Sequence, residues 1–421
     1  MIFIKLRHHI PKSREGTYYT IPFEVPDNVE RITVSYQYYR RGKGIFSDLK
    51  PSNTVDIGFE DERGNFLGWS GSAYKTISIG EYDSSPGYMC LPVKSGKWKI
   101  IVGAYHIMPK GVDVIYDIDF TFKGERLLFG DLHIHTTASD GKLSAYEAGR
   151  LAKSRGLDFI ALANHNNFSE NFCLPHIDGL TFIPAVEWTN YKGHMNFFGV
   201  QNPFENSFIA NTEEEMKRLI SNARSKGAVI SVNHPKCRFC PYLWGNEEAF
   251  DMVEIWNGPM RKTNMDGIKW WTDMLCAGRK LPAVGGSDFH KPGSFARLGN
   301  PVTGVYAKSP APEDILDAVK RGKTFISEGT GGVRINLKYG EFSMGDTAKH
   351  STGIPLVAES NAKDLVLVTD RGEKSIKLIG GRAEIKLEKV KFAYVKALKG
   401  IGKSKRITSV SNPIYFKSEI V

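Results

Sequence analysis

His133 and His135 stand two residues apart at the end of an apolar run, Arg126-Leu-Leu-Phe-Gly-Asp-Leu-His-Ile-His135. On an extended strand, side chains two apart point the same way, so both imidazoles can meet one ion. Further ligand-type residues recur in the same setting. Asp158-Phe-Ile-Ala-Leu-Ala163 runs into His165, and Thr181-Phe-Ile-Pro-Ala-Val186 into Glu187. Ala228-Val-Ile-Ser-Val-Asn233 runs into His234, and Leu281-Pro-Ala-Val-Gly-Gly-Ser287 into Asp288. His194 precedes its apolar run, Met195-Asn-Phe-Phe-Gly-Val200, and is the least regular of the set. Singly, such residues are ordinary polar punctuation at strand ends. Together, a mixture of imidazoles and carboxylates suits Mn, Fe or Zn rather than Ca or a thiolate site.

The elements that must position these groups alternate strand with helix. Ser144 with Glu147 three residues on reads as a capping box, and Ala145, Ala148, Leu151 and Ala152 form one helical face that stops at Gly156. Thr212-Glu-Glu-Glu215 caps a second helix reaching Lys226-Gly227, an aromatic helix surrounds Trp270 and Trp271, and Pro312 starts a last one through Lys320. Continuous apolar strands between capped helices predict a parallel sheet covered on both faces, and about seven such units suit a small TIM-like βα barrel over residues 126–325. A βα barrel carries its chemistry at the C-terminal ends of its strands, where His165, Glu187, His234 and Asp288 fall.

On either side the period changes to two. Residues 1–125 contain short alternating runs such as Arg31-Ile-Thr-Val-Ser-Tyr-Gln-Tyr-Tyr39 and Val112-Asp-Val-Ile-Tyr-Asp-Ile-Asp-Phe-Thr-Phe122, separated by polar turns, which predicts an N-terminal antiparallel β-sandwich. Its aromatic residues, including Tyr18, Tyr36, Trp69 and Trp98, are expected mostly between the sheets, with a sugar-binding face as the alternative. Residues 326–421 return to short strands and read as a C-terminal β-sandwich.

With 41% hydrophobic and 24% charged residues, the composition is globular. Of the net charge of +10 (pI ≈ 9.1), much is C-terminal, with 13 Lys/Arg against 5 Asp/Glu between Asn361 and Val410. There the cations interleave with Val, Leu and Ile as on the solvated face of strands, so nucleic-acid binding is not expected. Five cysteines in this length do not make a disulfide framework. The N-terminal Met-Ile-Phe-Ile-Lys-Leu-Arg-His-His lacks the apolar core of a secretory signal, and no 18-residue apolar run occurs, so a cytoplasmic protein without a membrane partner is expected.

The ordered set Asp-Leu-His-Ile-His135, Asp140, Asn-His-Asn166, Ala-Val-Glu187, Gly-His194, Asn-His-Pro235 and Gly-Ser-Asp-Phe-His290 resembles the PHP (polymerase and histidinol phosphatase) superfamily of metal-dependent hydrolases. Ala-Val-Glu-Trp-Thr189 and Val-Glu-Ile-Trp-Asn257 are similar to the branch that includes carbaryl hydrolase. The resemblance implies a distorted seven-stranded PHP barrel flanked by β domains and holding two or three divalent transition metal ions. His133, His135, Glu187 and Asp288 would hold one; Glu187 would bridge to a second on His194 and His234; Asp140, His165 and His290 would hold a third. Where the family commonly has Thr-Asp-His, this chain has Ala163-Asn164-His165, which predicts a weaker or absent third ion.

Three divalent ions against the carboxylates of Glu187, Asp288 and Asp140 would leave a pocket of about +3, suited to a small anionic substrate. Such a centre lowers the pKa of shared water from 15.7 to roughly 7 and supplies a metal-bridging hydroxide. The expected activity is therefore a metal-dependent phosphoesterase, with Glu187 and Asp288 in the catalytic centre and Arg238 and Arg297 on the phosphoryl oxygens, Lys236 and Lys291 being further candidates. The alternative within enzymes is a carboxylic or carbamate ester hydrolase with apolar walls from Trp188, Phe239, Trp244 and Trp256. A second alternative is a non-catalytic binding protein with a degenerate barrel. Cys237-Arg-Phe-Cys240, directly after His234-Pro235, is expected to be a pair of free thiols in a loop, and His176 a loop residue. The oligomeric state is not legible.

Overall fold

The computed structural model describes residues 3–40, 52–245, 250–351, 353–400 and 405–417. The chain forms two compact units, Met1–Gly124 and Glu125–Val421.

The first unit is built from β1 (Phe3–Ile10), β2 (Tyr18–Val25), β3 (Val29–Tyr38), β4 (Thr54–Glu60), β5 (Phe66–Gly71), β6 (Thr76–Gly80), β7 (Gly96–His106) and β8 (Val112–Phe122). They pair antiparallel in two four-stranded sheets, ordered β1-β8-β3-β6 and β2-β7-β4-β5. Alternation decides the burial: along β8, Val112, Val114, Tyr116, Ile118 and Phe120 point inward and their neighbours outward. Trp98 and Tyr36 lie in this core with Phe59 and Ile100, whereas Tyr18 and Tyr39 are exposed.

The second unit begins with β9 (Arg126–Ile134), α1 (Ala145–Ser154), β10 (Phe159–Leu162), β11 (Thr181–Asn190), β12 (Gly193–Phe198), α2 (Glu213–Ser225) and β13 (Val229–Val232). It continues through β14 (Met252–Asn257), α3 (Lys262–Cys276), β15 (Ala283–Gly286), β16 (Val302–Ala307), α4 (Pro312–Lys320) and β17 (Thr324–Ser327). Both expected capping boxes form: the Ser144 and Thr212 side chains accept the amides of Glu147 and Glu215, whose carboxylates return to the cap amides. The seven strands β9 to β15 are hydrogen-bonded in chain order. The end of β9 also meets the segment after β15, where the Asp288 amide donates to the His133 carbonyl and the His135 amide to the Phe289 carbonyl, both at 2.9 Å.

Within β9 to β15 the pairing departs from all-parallel at β12; beyond them β16 is antiparallel to both β9 and β17. The pairs β9/β10, β10/β11, β13/β14 and β14/β15 are parallel, but β12 runs antiparallel to both β11 and β13. Only Tyr191 and Lys192 separate β11 from β12, too few residues for a helical crossover, so the chain must turn straight back. Reversal puts the start of β12 beside the C-terminal ends of its neighbours, and the irregular position of His194 follows from it.

Past β17 the sheet continues into Arg406–Ser411, paired antiparallel with β17, and then into Phe392–Lys399 and Asp364–Thr369. A separate four-stranded sheet contains Ile335–Tyr339 and Leu356–Ser360. The fold is thus mixed α/β with many strands and few helices. Among the described residues, no helix is long and apolar enough to cross a membrane.

Candidate metal centre

Glu187 sits near the end of β11, wholly buried, with imidazoles converging on it from neighbouring strands and loops. Its Oε1 lies 3.1 Å from His194 Nδ1, 3.3 Å from His133 Nε2 and 3.5 Å from His234 Nε2. Its Oε2 lies 2.8 Å from His165 Nδ1 and 3.5 Å from His135 Nε2. Asn233 Nδ2 donates to Oε1 as well, at 2.9 Å. Burial opposes ionisation here, but the charge on His133 and the nearness of the His133, His165 and His194 rings hold the Glu187 carboxyl well below the usual range.

Asp288 closes the other side, its Oδ1 3.1 Å from His135 Nε2 and 3.5 Å from His133 Nε2. Burial again opposes ionisation and the charge on His133 outweighs it, so this carboxyl too is depressed. His290 is tied by Nδ1 to the Asp288 carbonyl at 2.9 Å, which turns its Nε2 toward Asp140 Oδ1 at 3.3 Å. His165 Nε2 lies 3.7 Å from that same oxygen. The structure therefore brings together all nine positions expected to hold metal: His133, His135, Asp140, His165, Glu187, His194, His234, Asp288 and His290.

These donors fit metal ions. Within 4.8 Å of one another stand ligand atoms of His135, Asp140, His165 and His290; of His194, His234 and Cys240; of His133, His135 and Glu187; and of His133, His234 and Asp288. His133 Nε2, both ring nitrogens of His135 and Glu187 Oε2 are buried without a hydrogen bond, among the costliest arrangements a protein can keep without a ligand. Burial pushes His135 down to about 4, so this ring keeps a nitrogen lone pair at neutral pH. The backbone is strained at the same place: His234 and Asp288 have φ of 30° and 53°, at a cost on the order of 1–3 kcal/mol each for such residues.

Glu254, in the middle of β14, was not singled out by its sequence. It is buried, its Oε1 3.0 Å from His133 Nδ1, while its Oε2 accepts the His234 amide at 3.1 Å and Asn257 Nδ2 at 3.1 Å. The contact holds a proton on His133 Nδ1 and turns Nε2 toward Glu187 and Asp288, as an outer carboxylate does for a metal-bound histidine. Space for it exists because residue 286 is glycine: a Cβ there would stand 2.4 Å from His133 Cβ and 2.6 Å from Glu254 Oε1. The available signal was an acid inside an otherwise apolar strand, Met252-Val-Glu-Ile-Trp256.

Asp131, two residues before His133, is a second buried acid of this kind. It accepts the amides of His133 at 3.2 Å, Ser287 at 2.9 Å and Gly299 at 2.7 Å, fastening β9 to the loop after β15, and burial raises it to about 6.

Asn164 turns away from the imidazoles. Its Oδ1 accepts from the Thr136 amide, Thr136 Oγ1 and Ser139 Oγ, at 2.9, 3.1 and 2.9 Å, and its Nδ2 donates to Glu170 Oε2 at 3.0 Å. It organises the loop that carries Asp140, with a carboxylate already behind it.

The candidate substrate contacts divide. Arg238, Arg297 and Lys291 are exposed, and neither guanidinium is paired with a described carboxylate. Lys236 instead stands 5.0 Å over the Trp270 ring. Trp188, Trp244 and Trp256 belong to one cluster. They are buried in the core, Trp188 stacked on Trp244 and the indole nitrogens of Trp188 and Trp256 donating to the carbonyls of Phe208 and Gly258. Phe239 is 95% exposed. His176 pairs with Asp178 at 3.0 Å on the surface, away from the ligand cluster. Cys237 and Cys240 stand with their Sγ atoms 3.2 Å apart, and Cys240 Sγ lies 3.6 Å from His234 Nδ1.

No family model matches the chain, and no curated protein is similar to it. Among solved structures it is similar to a two-domain protein from Bacteroides vulgatus containing a predicted PHP-like metal-dependent phosphoesterase, at 18% identity and TM-score 0.40 over 68% of this chain and 96% of that one. It is also similar to a lesion-specific endonuclease from Pyrococcus furiosus, at 18% identity and TM-score 0.35 over 46% and 56% of the two chains. An amidohydrolase from Chromobacterium violaceum matches at 16% identity and TM-score 0.29 over 39% and 88%. Scores this low leave the chemistry to the residues themselves.

Proposed function

We propose that the chain is a metal-dependent phosphoesterase of the PHP type. The observation that carries this reading is the Glu187 carboxylate, surrounded by the imidazoles of His133, His135, His165, His194 and His234 with buried ring nitrogens left unpartnered. Residues 126–325 form the catalytic part as a distorted seven-stranded barrel, supported by the chain-order pairing of β9 to β15 and the bonds that tie β9 to the segment after β15. In this reading 1–125 and 326–421 are flanking β domains.

His133, His135, Glu187 and Asp288 would hold one ion, Glu187 with His194 and His234 a second, and Asp140, His165 and His290 a third. When bound, such ions supply Lewis acidity and hydroxide at neutral pH. The residues of the chain do the rest. Glu254 orients His133, the Asp288 carbonyl orients His290, and Asn164 holds the loop that presents Asp140. Arg238 and Arg297, exposed and without carboxylate partners among the described residues, are available to phosphoryl oxygens. A carboxylic or carbamate ester reading in the manner of carbaryl hydrolase has less support, because the indoles that would wall a neutral substrate are in the core. A cytoplasmic location belongs to the reading and draws on five unpaired cysteines.

A panel of chromogenic phosphomonoesters, phosphodiesters and carboxyl esters, assayed with Mn, Zn or Fe, tests the assignment. Phosphoester turnover is expected; turnover of carboxyl esters alone would replace it with the ester-hydrolase reading.

A further inference from the structure

The turn after His234 carries a feature that phosphoester hydrolysis does not need. The Cys237 amide donates to the His234 carbonyl at 2.8 Å, and this tight turn brings two thiols three residues apart back toward the ring they follow. Cys237 Sγ and Cys240 Sγ touch at 3.2 Å, about 1.1 Å longer than the 2.05 Å of a disulfide bond. Cys240 Sγ meets His234 Nδ1 at 3.6 Å, while Nε2 of that ring faces Glu187. Both thiols are partly exposed, and Cys90, Cys173 and Cys276 are not paired with them.

We propose that Cys237 and Cys240 form a thiol–disulfide exchange site, taking a small disulfide as its substrate, and that its redox state sets how firmly His234 holds its ion. The coupling rests on the reading of His234 as a metal ligand; the exchange chemistry does not. The thiolate of one cysteine attacks the small disulfide, forming a mixed disulfide and expelling one thiolate. The second cysteine, giving up its proton, then attacks the protein-bound sulfur, closes the Cys237–Cys240 bond and expels the other. Two protein thiols are oxidised, one disulfide is reduced to two small thiols, and the two protons pass to them. In the reduced state Cys240 is the partner that fixes the His234 ring through Nδ1, as an outer hydrogen-bonding group does for a metal-bound histidine. Bond formation draws Cys240 Sγ toward Cys237 and weakens it as an acceptor, so the ring loses its fixed orientation.

The test uses the full chain loaded with zinc, treated with oxidised glutathione or with a dithiol reductant, and read by thiol titration, peptide mapping and zinc affinity against a chromophoric chelator. Oxidation should lower the titre from five thiols to three, map the new bond to Cys237 and Cys240, and weaken one zinc by roughly 10- to 100-fold, reversibly. Cys240→Ser, which keeps an acceptor and cannot form the bond, should hold its zinc equally under both treatments. A titre that stays at five, a bond elsewhere, or equal zinc affinity in the two states would overturn the proposal. Reduced protein that binds no zinc would remove the metal reading and the coupling with it, while the titre would still judge the exchange step.

Discussion

Glu254 Oε1 lies 3.0 Å from His133 Nδ1, on the far side of the ring from Glu187. The pair fixes the tautomer and the plane of an imidazole whose other nitrogen is buried and unpartnered. Glu254→Gln keeps the shape and removes the charge. The variant should fold, by circular dichroism, and bind zinc or manganese roughly 10- to 100-fold more weakly in a calorimetric titration. Unchanged affinity would mean that Glu254 is a structural acid only.

Asn164 and Glu170 form a second testable pair. Because the amide donates to Glu170 at 3.0 Å, Asn164→Asp sets two carboxylates against each other rather than adding a useful one to the third cluster. We expect a loss on the order of 1–3 kcal/mol in unfolding free energy, with stability recovered in Asn164→Asp/Glu170→Gln. Asn164→Asp as stable as the parent would show that this contact does not organise the loop.

Arg238 and Arg297 stand exposed with no described carboxylate beside them, so their removal should leave stability nearly unchanged. If they receive phosphoryl oxygens, Arg238→Ala or Arg297→Ala should raise KM for a phosphomonoester about tenfold and leave a neutral ester unaffected. Equal effects on both substrate classes, or none, would return these residues to the solvated surface.

Much of the proposed centre was legible because strand geometry is simple. A period of two puts His133 and His135 on one side, and apolar runs that end in His165, Glu187, His234 and Asp288 announce their own C-terminal ends. His194 was harder to read, since its place depends on β12 running antiparallel, and only the two-residue turn at Tyr191-Lys192 hinted at that. Glu254 was hidden for a related reason: nothing local says that a mid-strand acid faces a histidine on β9. The indoles of Trp188, Trp244 and Trp256, expected as apolar walls, are buried in the core, since sequence gives their apolarity but not the side of the sheet on which they pack. At Asn164 sequence shows an amide where a carboxylate is expected, and its partners, Thr136, Ser139 and Glu170, are distant enough in the chain that only the fold brings them together.

The measurement that bears most directly on the account is metal content per chain, by elemental analysis of protein purified without chelator, with phosphomonoester turnover followed before and after chelation. Two or three ions per chain are expected, with turnover lost on chelation and His133→Ala or Asp288→Ala folded but depleted of metal and inactive. Protein that takes up no Mn, Zn or Fe, or that keeps its turnover after the metal is stripped, would contradict it.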